Sequence, residues 1–163
     1  DTPRVGDLLA ERFRLQEVLG EGAFGAVFAA DDELDDRRIA IKVLQRGRER
    51  AGDQWVRRRF IREFRAAKRL HHPNVAPAYT LGELSAGGAL FYTMTLAGGG
   101  TCAELGTKYA NTPDRVGAVI LQLLAGLDFV HGRGIVHRDE SFRVKATWRT
   151  APNPHPNPNR NPK

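Results

Sequence analysis

Cysteine is almost missing from this 163-residue chain: Cys102 stands alone, so no disulfide can close within it. A single thiol suits a reducing compartment, and the expected location is the cytoplasm. No run of 18 apolar residues occurs, which leaves no segment of this sequence able to span a membrane as a helix. The first residues carry no basic stretch followed by an apolar one, so no secretory leader is expected in them. Acidic residues are outnumbered by basic ones, 19 to 25, which gives a net charge of +6. Much of that excess lies in RGRERAGDQWVRRRFIREFRAAKR (residues 46–69). Such a run suits either a phosphate or nucleic-acid surface or a solvated helix face. Aromatic residues suitably interleaved for base stacking are lacking, so the helix face is preferred and no nucleic-acid partner is expected. At 41% hydrophobic residues the chain can bury a core, and its length suits one domain or a large part of one.

The apolar pattern changes period along the chain. Phe13 and Leu15 alternate with polar residues up to Leu19, residues 26–30 form a second apolar run, and IAIKVL (39–44) forms a third. All three are short and bounded by turn residues, including DDELDDRR (31–38), which predicts an antiparallel meander. Val56, Phe60, Phe64 and Ala67 then recur every three or four residues, with Leu70 near the same stripe. This predicts a helix over roughly 55–70 that ends before Pro73 in HHPNV. Two further strands are expected at 78–83 and 90–96, joined by a turn at SAGG (85–88). A second helix is marked by Thr112 as N-cap, Pro113 in the first turn and Asp114 at the positive end of the dipole. Its expected buried stripe is Val116, Ile120, Leu123, Leu127 and Val130. From residue 140 onward Leu, Ile and Asp are all absent, and residues 152–163 hold five prolines and four asparagines. That composition buries too little apolar surface to offset its ordering entropy, so a tail without fixed structure is expected there.

Three clusters carry chemistry. In LGEGAFGAVF (19–28), Gly20, Gly22 and Gly25 fit G-x-G-x-x-G. Backbone N–H groups of such a loop can approach an anion with no Cβ in the way. A dinucleotide-binding loop shares the spacing but opens into a helix. Here the strand-like AVFAA follows, which favours a hairpin whose glycine tip lies over phosphates. Lys42 sits in IAIKVL, where Ile39, Ile41 and Val43 share one face and Ala40, Lys42 and Leu44 the other. A lysine between apolar neighbours either has a partner for its ammonium or snorkels to water from an edge. Glu63, at the border of the apolar stripe of its helix, supplies a carboxylate for the first case, although an ordinary surface glutamate remains open. Third, HRD at 137–139 follows a long helix and the apolar pair Ile135-Val136.

In order and spacing, LGEGAFGAVF, IAIK, FIREFRAAKRL, HHPNV, FYTMTLAGG and GIVHRD resemble the eukaryotic-type protein kinases, most closely the Ser/Thr kinases of bacteria. The resemblance covers about residues 8–139. It implies an α+β fold: a kinase small lobe at 8–97, with a five-stranded antiparallel sheet and one main helix, followed by the first helices of the large lobe at 98–139. It also implies roles. The backbone of Gly20, Glu21, Gly22, Ala23, Phe24 and Gly25 would cover the phosphates of ATP, with Phe24 at the tip. Leu19, Val27 and Ala40 would sandwich the adenine. Lys42 would contact the α- and β-phosphates and pair with Glu63. Met94 falls at the gatekeeper position, and residues 95–97, with Thr95 and Ala97, would form the hinge. Asp139 would orient the substrate hydroxyl, supported by His137 and Arg138. A protein substrate is implied as partner, and Mg2+ as the metal that accompanies ATP.

The resemblance breaks after Asp139. The family has a Lys two residues later and an Asn five residues later, where this sequence has Ser141 and Val144. No Asp-Phe-Gly follows, and DFV (128–130) lies inside the preceding helix. No residue of the sequence is therefore assigned as a metal ligand. The change of character over 140–163 reads as a shifted frame or a broken gene. Two functions are expected: a Ser/Thr protein kinase by family, inefficient in this chain, or a half-kinase that binds a nucleotide or partner without catalysis.

Overall fold

Short strands, two of them buried on both faces, build the first half of the molecule. In a computed structural model, which describes residues 3–22, 25–44, 53–84, 88–97, 107, 109 and 112–135, the chain runs as β1 (Leu8–Leu9), β2 (Phe13–Gly22), β3 (Gly25–Asp32) and β4 (Arg37–Leu44). Helix α1 (Asp53–Lys68) follows, then β5 (Ala78–Glu83), β6 (Leu90–Thr95) and helix α2 (Pro113–His131). The strands form a single antiparallel sheet in the order β1-β2-β3-β4-β6-β5.

The sheet has six strands where the sequence predicted five. The extra one is the two-residue β1, whose Leu8 and Leu9 pair with Arg14 and Phe13. A tight turn makes this possible: Ala10 and Glu11 both take positive φ, at 50° and 53°. A two-residue strand carries no periodicity, so pattern alone could not reveal it.

The two faces of the sheet hold different cores. On one face Phe13, Leu15, Phe28, Ile39, Ile41, Val43 and Phe91 pack together. Phe13 of β2 and Phe91 of β6 meet edge to face with ring centroids 5.9 Å apart, although two strands separate theirs in the sheet. The sheet must therefore curl strongly toward this side. On the other face α1 lays Val56, Phe60, Phe64 and Ala67 against Leu44, Ala78, Leu90 and Tyr92. The alternation expected in β4 holds: Ile39, Ile41 and Val43 enter the first core, and Leu44 enters the second. Each fully buried large apolar side chain contributes about 1.5–3 kcal/mol.

Helix α1 ends at Lys68, just ahead of Pro73, with the last N–H groups of the turn reaching back to Ala66 and Ala67. The β5–β6 connection is closed by Leu84 N–H to Ala89 O at 2.9 Å. In α2, Thr112 occupies the N-cap position and Pro113 starts the helix, but the Thr112 side chain makes no capping hydrogen bond. None of the five expected stripe positions is buried: Val116, Leu123, Leu127 and Val130 are half-buried and Ile120 is 47% exposed, whereas the buried positions are Val119 and Gly126. The helix presents this adjacent line because it docks through Gly126 on the segment around Asn74. The expectations for residues 98–106 and for the tail at 140–163 lie outside the described residues.

Candidate functional site

Strand register assembles the site. Gly20 stands opposite Val27, Val27 opposite Lys42, and Lys42 opposite Tyr92, which makes one row across β2, β3, β4 and β6. Directly opposed residues of an antiparallel sheet project to the same side. Two residues back along β4, Ala40 stands opposite Ala29 on one flank and Met94 on the other. The glycine-rich end of the β2–β3 hairpin, Val27, Ala40, Lys42 and Met94 therefore share one face of the sheet. Thr95, opposite Ile39, bounds it, with its backbone N–H already bonded to Pro77 O at 3.1 Å. Leu19, Thr95 and Ala97 are half-buried around it.

Helix α1 closes this surface from the side. The Lys42 ammonium and the Glu63 carboxylate are joined in a salt bridge and hydrogen bond. Neither is deeply buried, with side chains 24% and 43% exposed. An ion pair so accessible to water contributes only about 0–1 kcal/mol by itself. A third group strengthens it: the Tyr92 hydroxyl donates to the same Glu63 oxygen, Oε1, at 2.6 Å. Tyr92 is buried, and burial followed by the neighbouring Glu63 charge pushes its phenol well above its ordinary range. It is thus a neutral hydrogen-bond donor at every physiological pH. A hydrogen bond to an ionised group contributes about 1.5–3 kcal/mol, discounted here by the exposure of Glu63. The tyrosine ring is itself held, with Phe60 and Phe64 centroids at 5.1 and 5.8 Å.

Sequence reasoning missed Tyr92. The signal was present: LFYTMT is a strand whose other large side chains are apolar, and a buried phenol there needs a partner for its hydroxyl. The pairing of Lys42 with Glu63 was expected, and the structure brings the two together. Glu21 and Gly22 lie at the exposed end of β2, beside Gly25. Ala23 and Phe24, at the hairpin tip, lie outside the described residues, as do His137, Arg138 and Asp139. Gly25 has a definite steric reason: a Cβ there would lie 2.1 Å from the Val43 carbonyl oxygen. Any side chain at this position would separate β3 from β4 beside Lys42.

A small curved antiparallel sheet with a glycine-rich hairpin, a sheet-borne lysine and a helix-borne glutamate has the architecture of a kinase small lobe. Comparison with known proteins agrees. Residues 13–140 match the family described as protein kinase domain, and the chain belongs to that family, whose reaction is ATP-dependent phosphoryl transfer. The DNA damage-responsive serine/threonine-protein kinase RqkA of Deinococcus radiodurans is 39% identical over 140 residues, covering 82% of this chain and 20% of that protein. The serine/threonine-protein kinase pkn3 of Myxococcus xanthus is 34% identical over 136 residues, covering 83% of this chain and 24% of its own length. The crystal structure of the Mycobacterium tuberculosis PknI kinase domain superposes with a TM-score of 0.58 at 29% identity, over 85% of this chain and 55% of that one. The chain thus spans about a fifth to a quarter of the curated relatives and about half of the solved kinase domain.

Proposed function

We propose that this chain carries the ATP site of a Ser/Thr protein kinase, with Lys42 as the phosphate contact and Glu63 as the residue that holds it in place. The observation behind this reading is the row Gly20–Val27–Lys42, closed by the Lys42–Glu63 pair from α1. These residues fit the nucleotide. A glycine hairpin offers backbone N–H groups, and the Lys42 cation stands one strand away from it. The small Ala40, beside Val27 and Met94, suits a flat apolar base. ATP supplies the transferable phosphoryl group. Residues 95–97 would border its base, and Asp139 would accept the proton of a protein hydroxyl. The lone Cys102 supports a reducing compartment, the cytoplasm.

Residues for Mg2+ do not fit as well. Among the described residues no three His, Cys, Asp or Glu side chains cluster as a metal site. Ser141 and Val144 stand where the family has Lys and Asn, and residues 140–163 contain no Asp. Phosphoryl transfer relies on metal to neutralise the phosphates, so binding without efficient transfer is the expected behaviour of these 163 residues. The same observation supports the second reading, a nucleotide- or partner-binding half-kinase. Calorimetry with ATP separates site from no site. Loss of the Lys42 contact, about 1.5–3 kcal/mol, should weaken binding about tenfold or more in Lys42→Ala. Asp139→Asn should leave affinity unchanged, since its role is toward the acceptor hydroxyl. Equal affinity in parent and Lys42→Ala would remove the nucleotide site. Robust transfer of radiolabelled phosphate by the parent, abolished in Asp139→Asn, would show a competent enzyme instead.

A further inference from the structure

We propose that Tyr92 is a positioning residue: its buried hydroxyl holds the Glu63 carboxylate, and through it the Lys42 ammonium, in the arrangement that meets phosphate. The catalytic meaning of this rests on the nucleotide-site reading of Lys42, but the geometry does not. Lys42 and Glu63 form a pair that water reaches from outside, on two flexible side chains. Left alone, such a pair exchanges readily with solvent. Tyr92 differs from both. It is 4% exposed, it stands opposite Lys42 in the strand register, and its hydroxyl donates to Oε1, the Glu63 atom that Lys42 also contacts. Its ring packs against both Phe60 and Phe64, which lie about one turn of α1 apart and flank Glu63 in sequence. Lys42 Nζ lies 6.0 Å from the ring centroid, so the same side chain faces both charges of the pair. The hydroxyl thus ties α1 to the sheet at the residue on which the site depends. It does so with a donor that stays protonated near neutral pH and whose ring is packed against Phe60 and Phe64, so the Lys42–Glu63 pair stands formed before any ligand arrives.

The expected signature is a change in Lys42 that is not a change in folding. Trace acetylation of the full 163-residue chain with acetic anhydride, read by mass spectrometry, measures how freely each amine reacts, with exposed Lys68 as internal reference. Tyr92→Phe keeps the ring and removes only the donor. It should raise Lys42 labelling relative to Lys68 at least about threefold, as should Glu63→Gln, and the double variant should exceed neither by much, because both changes break one linkage. Tyr92→Leu, which also removes the ring packed against Phe60 and Phe64, should lower the melting temperature, whereas Tyr92→Phe should lower it much less. Lys42 labelling that rises in Glu63→Gln but stays at the parent level in Tyr92→Phe would overturn the proposal. So would the absence of a rise in both, since no pair would then exist to be held. A second measurement needs no Tyr92 variant: in the parent, the Tyr92 hydroxyl proton should appear by NMR as a slowly exchanging resonance that disappears in Glu63→Ala. Rapid exchange in the parent would overturn the proposal. Failure of the nucleotide reading looks different: Lys42→Ala would leave ATP affinity intact while the labelling pattern held.

Discussion

Asp32 is the most deeply buried charged side chain described, at 1% exposure, and it organises the turn after β3. Arg12 grips it with Nε and Nη2 at 2.6 and 2.7 Å, and the N–H groups of Leu34 and Asp35 donate to its Oδ1. The Arg12 hydrogen bonds hold the Asp32 carboxyl below its ordinary value of 3.8. The folded chain therefore takes up a proton here less readily than the unfolded chain. Stability from this group is complete above that value and is lost as pH falls through it toward the folded pKa. Melting temperature should drop in the parent as pH falls below the ordinary carboxylate value, and the drop should be shallower in Asp32→Asn, which has no proton to gain. At neutral pH, Asp32→Ala should cost about 2–3 kcal/mol by urea denaturation, because it breaks a bidentate buried contact and two backbone bonds. Arg37, 47% exposed and 3.7 Å from the same carboxylate, is an ordinary surface partner whose loss should scarcely move the midpoint.

Gly25 lets β3 pass close to β4 beside Lys42. Gly25 leaves no room for a Cβ against the Val43 carbonyl, a backbone atom that cannot rotate away. Gly25→Ala should therefore cost about 2–4 kcal/mol in chemical denaturation. It should also weaken ATP binding, because the shift falls in the strand pair that carries Val27 and Lys42. On the same side of the sheet as Lys42, α1 is fastened near its start as well as at Glu63. Arg57 donates to Gly88 O at 2.6 Å and to Glu83 Oε2 at 3.2 Å, which ties the helix to both ends of the β5–β6 connection. The helix is thus anchored by aromatic packing, an arginine clamp and the tyrosine hydroxyl. The Lys42–Glu63 pair is a consequence of that anchoring more than its cause.

Helix α2 joins the sheet layer through the segment that precedes β5. Asn74 Nδ2 donates to Gln122 Oε1 at 3.2 Å, and His72 faces Phe129 with ring centroids 4.8 Å apart. Gly126 makes this approach possible, since a Cβ there would already lie 3.1 Å from Asn74 O. Gly126→Val should loosen the helix without melting the lobe: amide exchange should quicken across 113–131 while β3, β4 and β6 stay protected. Equal loss of protection in both would mean that the two parts unfold as one. Leu121 and Leu124 are 69% and 53% exposed, so α2 shows an apolar side that the described residues leave uncovered.

Much of this was legible in the sequence, and for a physical reason. Period-two alternation named the faces of β4, period 3.6 placed Phe60 and Phe64 on the inner side of α1, and Pro73 marked the stop, because these signals are local. The glycine spacing, Lys42 and Glu63 were legible as types and positions, and the site they imply was expected from them. Tertiary structure alone decided three things. Two-residue β1 exists because a turn folds it onto β2. The line of α2 that is buried is set by the contact of Gly126 with Asn74, a residue far away in the chain. The third is the company Glu63 keeps: pairing with Lys42 follows from charge, but the buried Tyr92 hydroxyl reaches it only because β6 lies beside β4 and α1 crosses both. Side-chain chemistry is written in the sequence, whereas the choice of which buried donor meets which carboxylate belongs to strand order and register.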